Sequence, residues 1–150
     1  MNKRDAITIL MADDDDDDFL LTKKALAESR LANTLVRVED GEELLDYLKR
    51  RGRYENSDVV RPGMILLDLN MPRKDGRETL KEIKSDPELK DIPVVIFTTS
   101  KTEEDVFRSY QLGSNSFITK PVTFDKLVNV ITALGAYWFK IVKLPQSNEK

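Results

Sequence analysis

Five short apolar runs, rich in β-branched residues and separated by longer stretches of helical period, set the fold class of this chain. They occupy residues 7–12, 35–38, 64–67, 94–98 and 116–118. The first, third and fourth are apolar on successive residues rather than alternate ones, as a strand covered on both faces must be. Between the runs, apolar residues recur three and four apart: Leu21 and Ala25 in 17–29; Leu44, Leu45 and Leu48 in 42–49; Thr79, Leu80 and Ile83 in 76–85. Two more helices are predicted over 103–112, where Thr102 and Asp105 have capping spacing, and over 124–139, where Leu127, Val128, Ile131, Leu134 and Trp138 repeat. Strand and helix alternate five times. The expected fold is therefore α/β, a (βα)5 doubly wound parallel five-stranded sheet. A length of 150 residues suits a single domain, 1–150, with a core over about 6–140 and a tail over 141–150. Residues 50–62, with Arg, Gly, Asn, Ser and Pro, read as a long loop.

Composition narrows the chemistry. The chain has no histidine and no cysteine, so disulfides, thiolate zinc sites, thiol nucleophiles, imidazole bases and phosphohistidine carriers are excluded. The net charge of -3 is local in origin: six of the 27 acids form one uninterrupted run at 13–18, leaving 21 against 24 Lys and Arg elsewhere. The longest apolar run, 133–139, is far too short to span a membrane. The basic group Lys49, Arg50, Arg51 and Arg53 lacks aromatic interleaving and reads as solvated surface, so no direct nucleic-acid partner is expected. The absence of cysteine suits a cytoplasmic location.

Ligands of open parallel sheets bind beyond the carboxyl ends of the strands. Those positions are polar here: Asp13 and Asp14 after the first run, Asp68 after the third, Thr98 and Thr99 ending the fourth, and Thr119, Lys120 and Pro121 after the fifth. Carboxylates crowded at one edge raise one another's pKa unless a cation intervenes. An all-oxygen donor set suits Mg²⁺, with Mn²⁺ as the alternative, and not zinc or copper. The aspartate run lacks the spacing, central glycine and terminal glutamate of a calcium loop, and it would repel the phosphate of FMN or a nucleotide.

Taken together and in order, these residues resemble the receiver domain of two-component response regulators. The resemblance runs from about residue 7 to 134. It is carried by the acidic pair, by Ile65-Leu66-Leu67-Asp68-Leu69-Asn70-Met71-Pro72, by Asp75-Gly76, by Thr98 and by Lys120-Pro121. It implies the flavodoxin-like strand order 2-1-3-4-5. It further implies Asp68 as phosphoacceptor, Asp14 as a direct metal ligand, Asp13 as a ligand through water, and the backbone carbonyl of Asn70 completing the protein ligands. Asp68 itself would face the metal. Thr98 would hydrogen-bond the phosphoryl group and Lys120 pair with it. Phe117 stands at the family's aromatic switch position, Asn70 and Ser100 at the positions that tune phosphoryl lifetime, and Lys120-Pro121 would be a cis peptide. Such a protein is a phosphoacceptor that catalyses only its own phosphorylation and dephosphorylation, with a sensor histidine kinase as partner.

The segments 68–78, Gly52-Arg53-Tyr54-Glu55-Asn56 and 138–145 resemble more narrowly the stand-alone receivers paired with phytochrome-type kinases. That implies a homodimer, through the C-terminal region or the face of the fourth and fifth helices. Plainer readings compete. Asp16, Asp17 and Asp18 suit a solvated helix start; Asp15 stays open between that helix start and the metal site; Phe117 and Trp138 suit packing alone. Two other classes remain: a binding-only receiver that is never phosphorylated, and a metal-dependent aspartyl phosphatase, disfavoured because Asn70 stands where those enzymes usually carry an acid.

Overall fold

The computed structural model describes residues 7–31, 33–99 and 102–136. Strands β1 (Thr8–Ala12), β2 (Thr34–Val38), β3 (Met64–Leu67), β4 (Val94–Thr98) and β5 (Ser116–Thr119) alternate with helices α1 (Asp16–Glu28), α2 (Gly41–Lys49), α3 (Gly76–Ser85), α4 (Glu103–Gln111) and α5 (Phe124–Leu134). All strand pairs are parallel and the order is β2-β1-β3-β4-β5. This is the doubly wound α/β fold expected from the alternation.

Burial explains why the central strands are apolar throughout. Successive side chains of a strand point to opposite faces, and each face has helices on it. Leu10, Ala12, Ile65, Leu67, Val94 and Ile96 pack with Leu44, Leu45, Leu80 and Ile83 of α2 and α3. Their neighbours Ile9, Met11, Met64, Leu66, Val95 and Phe97 pack with Ala25, Leu26, Leu127 and Ile131 of α1 and α5. Fully burying one such side chain stabilises the fold by about 1.5–3 kcal/mol. The edge strand β2 has only Val38 fully buried.

Each helix begins on a side-chain cap. Asp15, Asp40, Asp75, Thr102 and Thr123 accept backbone N–H groups of the first turns of α1 to α5, each cap being worth about 1 kcal/mol. Within the expected loop 50–62 there is a 3-10 turn, Gly52–Tyr54. It is held by the Tyr54 hydroxyl donating to Glu43 Oε2 at 2.6 Å and by edge-on contact of Tyr54 with the Tyr47 ring. Burial and the adjacent Glu43 carboxylate push the Tyr54 hydroxyl up to about 12, so it stays a donor at neutral pH.

Strand register sets the chemistry. Ala12 pairs with Leu67, Leu67 with Ile96, and Thr98 with Thr119. The ladder then continues one step past the strands: Asp13 N–H donates to the Val38 carbonyl, Asp68 N–H to Ala12 and Lys120 N–H to Thr98. Asp13, Asp68, Thr98 and Lys120 are thereby anchored by backbone at one edge of the sheet.

Candidate functional site

Asp68 is 6 % exposed, and its two carboxylate oxygens have different partners. The Thr98 hydroxyl donates to Oδ1 at 2.7 Å, and Lys120 Nζ donates to Oδ2 at 3.0 Å. The Asn70 N–H donates to Oδ1 at 3.2 Å, closing the turn after β3. Gly76 explains the Asp75-Gly76 pair. A Cβ at position 76 would collide with the Asp68 carbonyl and approach Leu69 Cα to 2.7 Å, so the first residue of α3 lies directly against the backbone that carries Asp68.

Asp13, Asp14 and Asp68 each offer an oxygen, and these lie within 4.8 Å of one another. Asp13 is buried, whereas Asp14 is exposed at the mouth. Burial pushes the Asp13 carboxyl up to about 6; the Lys120 ammonium and the Asp15 N–H oppose that shift, and the Asp68 charge adds to it. Three carboxylate oxygens converging in this way are what a hard divalent cation satisfies, so these residues fit Mg²⁺ or Mn²⁺.

Lys120 supplies the positive charge. Its Nζ lies 2.7 Å from Asp13 Oδ2 as an ion pair off hydrogen-bond direction, 2.6 Å from Asp18 Oδ2 and 3.0 Å from Asp68 Oδ2. Burial disfavours the ammonium, but hydrogen bonds and proximity to these carboxylates outweigh it and its pKa is raised.

Three results go beyond the sequence reading. Asp18 begins the helix as expected, yet it also reaches Lys120, whereas Asp16 pairs with Arg37. Asp15 is the cap of α1, accepting the Asp17 and Asp18 N–H groups, and is outside the carboxylate group that converges for a metal. Arg37 of β2 is not among the residues expected at the site, yet its Nε donates to the Asp13 carbonyl at 3.0 Å, and it lies over the Phe19 ring. The signal for Asp18 is its place in the first turn of α1, directly after the strand-end acids; for Arg37, a lone cation in β2.

One expectation is corrected: the described residues contain no cis peptide, so Lys120-Pro121 is trans. The isomers of an X-Pro bond differ by only about 0.5–1 kcal/mol, so the residue pair alone does not dictate the isomer. Phe117 is half-buried against the α2/α3 side of the core. Ser100, Trp138 and the tail lie outside the described residues.

The model of the response regulator receiver domain family matches residues 9–132. The chain belongs to this family. Among relatives, the receiver is 42% identical over 137 residues to response regulator Rcp1 of Synechocystis sp., a match covering 91% of this chain and 92% of that one. Its fold is similar to the crystal structure of the phosphorylated cyanobacterial phytochrome response regulator RcpA, with a TM-score of 0.83 at 43% identity, covering 91% of this chain and 96% of the other. It is also similar to the Mn²⁺-bound form of Rcp1, with a TM-score of 0.81 at 41% identity, covering 89% and 95%. Receiver domains bind Mg²⁺ at an acidic site, and this receiver has three carboxylates, Asp13, Asp14 and Asp68, grouped at one edge of its sheet. No helix among the described residues is long and apolar enough to cross a membrane.

Proposed function

We propose that this receiver accepts a phosphoryl group on Asp68 from the phosphohistidine of a sensor kinase of the phytochrome type. The observation that carries the reading is the division of the Asp68 carboxylate between Thr98 and Lys120, beside the converging oxygens of Asp13 and Asp14. An Asp68 oxygen forms the new P–O bond as the P–N bond of the donor breaks; the leaving imidazole keeps the electron pair and takes a proton. The chain needs no histidine of its own, since the donor brings it.

Asp13, Asp14, Asp68 and the Asn70 carbonyl would hold Mg²⁺ or Mn²⁺. The cation supplies neutralisation of phosphoryl charge. Lys120 contributes a fixed positive charge and Thr98 a hydroxyl donor, so the work of the protein is positioning and charge stabilisation. The new group carries roughly -1.5 to -2 charge and strong acceptors. Thr98, drawn toward it, would leave space for Phe117 to follow, biasing the surface of β4, α4 and β5. Asn70 and Ser100 would set access of hydrolytic water and hence the lifetime. Beyond this self-directed chemistry no turnover of external phosphate esters is expected. Output would pass to a protein partner or through a homodimer made by the C-terminal region or the α4–α5 face. A cytoplasmic location would suit such an exchange and a chain without cysteine.

Intact-mass measurement with acetyl phosphate tests the reading. One added phosphoryl group, requiring Mg²⁺ and absent from Asp68→Asn, supports it. No gain with any donor would favour a binding-only receiver, and sustained hydrolysis of a generic phosphate ester would favour a phosphatase.

A further inference from the structure

We propose that Asp18 is a positioning residue that holds Lys120 over Asp68 while the phosphoryl group arrives and leaves; this rests on the phosphoacceptor reading above. Three carboxylates lie within 3.0 Å of the Lys120 ammonium, and their futures in the reaction differ. Asp68 becomes an acyl phosphate. Asp13 belongs to the oxygens that would face the cation. Asp18 is neither phosphorylated nor part of the converging metal group, so its ion pair is the one that persists through the whole cycle.

Persistence matters because lysine is a flexible side chain with four rotatable bonds, and its rotamer freedom is costly to restrict. Without a permanent partner, Lys120 would swing away when Asp13 and Asp68 change theirs. Asp18 is itself well fixed. It lies in the first turn of α1, its N–H donates to Asp15 Oδ1 at 3.2 Å, and its carbonyl accepts the hydroxyl of buried Thr22 at 2.8 Å. Its Oδ2 makes the shortest of the three contacts to Lys120, at 2.6 Å. A carboxylate this close to an incoming dianion would only repel it if the ammonium were not between them, so the role of Asp18 is exercised through Lys120.

Phosphoramidate is a suitable probe, because it reacts without a kinase surface: an Asp68 oxygen bonds to phosphorus, the P–N bond breaks and ammonia leaves. Labelling at saturating Mg²⁺ is followed by intact mass, Mg²⁺ affinity by calorimetry and stability by thermal melting. Asp18→Asn should label about tenfold more slowly, as loss of one charge-assisted contact in the transition state implies. Mg²⁺ affinity and melting temperature should stay near wild type, and Asp18→Glu, which keeps the charge, should recover most of the rate. Asp18→Asn labelling at the wild-type rate or faster, a loss of Mg²⁺ affinity matching the loss of rate, or Asp18→Glu no faster than Asp18→Asn would each overturn the proposal. A wild-type chain that takes no phosphoryl group overturns the phosphoacceptor reading together with this one, whereas a labelled wild type with an unaffected Asp18→Asn overturns only this one.

Discussion

Lys120 Nζ lies 3.0 Å from Asp68 Oδ2, while the other oxygen of the same carboxylate takes the Thr98 hydroxyl. β4 and β5, on one side of β3, thus each deliver one group to the residue that follows β3. This follows from the parallel register and needs no loop rearrangement to assemble. The arrangement is bound together electrostatically, so its consequences are best sought in charge and pH.

Asp13→Asn should stabilise the metal-free chain at pH 7 while removing its response to divalent cations. The Asp13 carboxyl is held at about 6 instead of 3.8, chiefly by burial, and ionising it against that penalty costs roughly 1–3 kcal/mol. Lys120 retains Asp18 and Asp68 as partners. Urea melts with and without Mg²⁺ measure both effects; a destabilised variant would show that the charge on Asp13 is compensated better than its surroundings imply.

The same shift predicts a pH dependence. Because the folded chain holds the Asp13 proton more tightly than the unfolded chain, this residue's contribution to stability is greatest below about 4, declines as pH rises to about 6, and is level above that. Protons would compete with a cation held at this carboxylate. Mn²⁺ affinity, followed by electron paramagnetic resonance, should therefore fall as pH drops through about 6.

Gly76→Ala tests the close approach of α3 to the backbone of Asp68. The added methyl collides with the Asp68 carbonyl backbone, which cannot move aside as a side-chain tip does. A cost of about 1–3 kcal/mol is expected, as for overpacking elsewhere. Labelling of Asp68 should slow as well, although no ionisable group has been changed.

Arg77 joins α3 to α4, the helices before and after β4. Its Nε and Nη2 donate to the two oxygens of Asp105 in α4 at 2.9 and 2.8 Å, and Nη1 reaches Asp75 Oδ2 at 3.0 Å. Arg77→Ala should cost about 1 kcal/mol, the scale of a partly buried bidentate pair. Hydrogen exchange should accelerate in α4 and leave α1 unchanged.

The sheet was legible because strands covered on both faces must be apolar at every position, and 94–98 was read without error as Val94–Thr98. The expected start of α1 at residue 17 falls one residue late because Asp15 takes the cap and admits Asp16 to the helix. The 3-10 turn at Gly52–Tyr54 was hidden because Glu43 and Tyr47, which hold it, are distant in sequence. At the site, Asp13, Asp68, Thr98 and Lys120 were visible as strand-end residues. The separate roles of Asp15, Asp16 and Asp18 were not, since six identical letters carry no distinction until the helix turns one toward its own N–H groups, one toward Arg37 and one toward Lys120.

The central claim is that Asp68, and no other acid of this crowded edge, forms the bond to phosphorus. Borohydride reduction of the phosphorylated chain converts an acyl-phosphate aspartate to homoserine, and peptide mass mapping then places it. Homoserine is expected at position 68 alone, formed only when Mg²⁺ or Mn²⁺ was present during labelling. Homoserine at position 13 or 14, or a labelled chain with an unreduced Asp68, would contradict it.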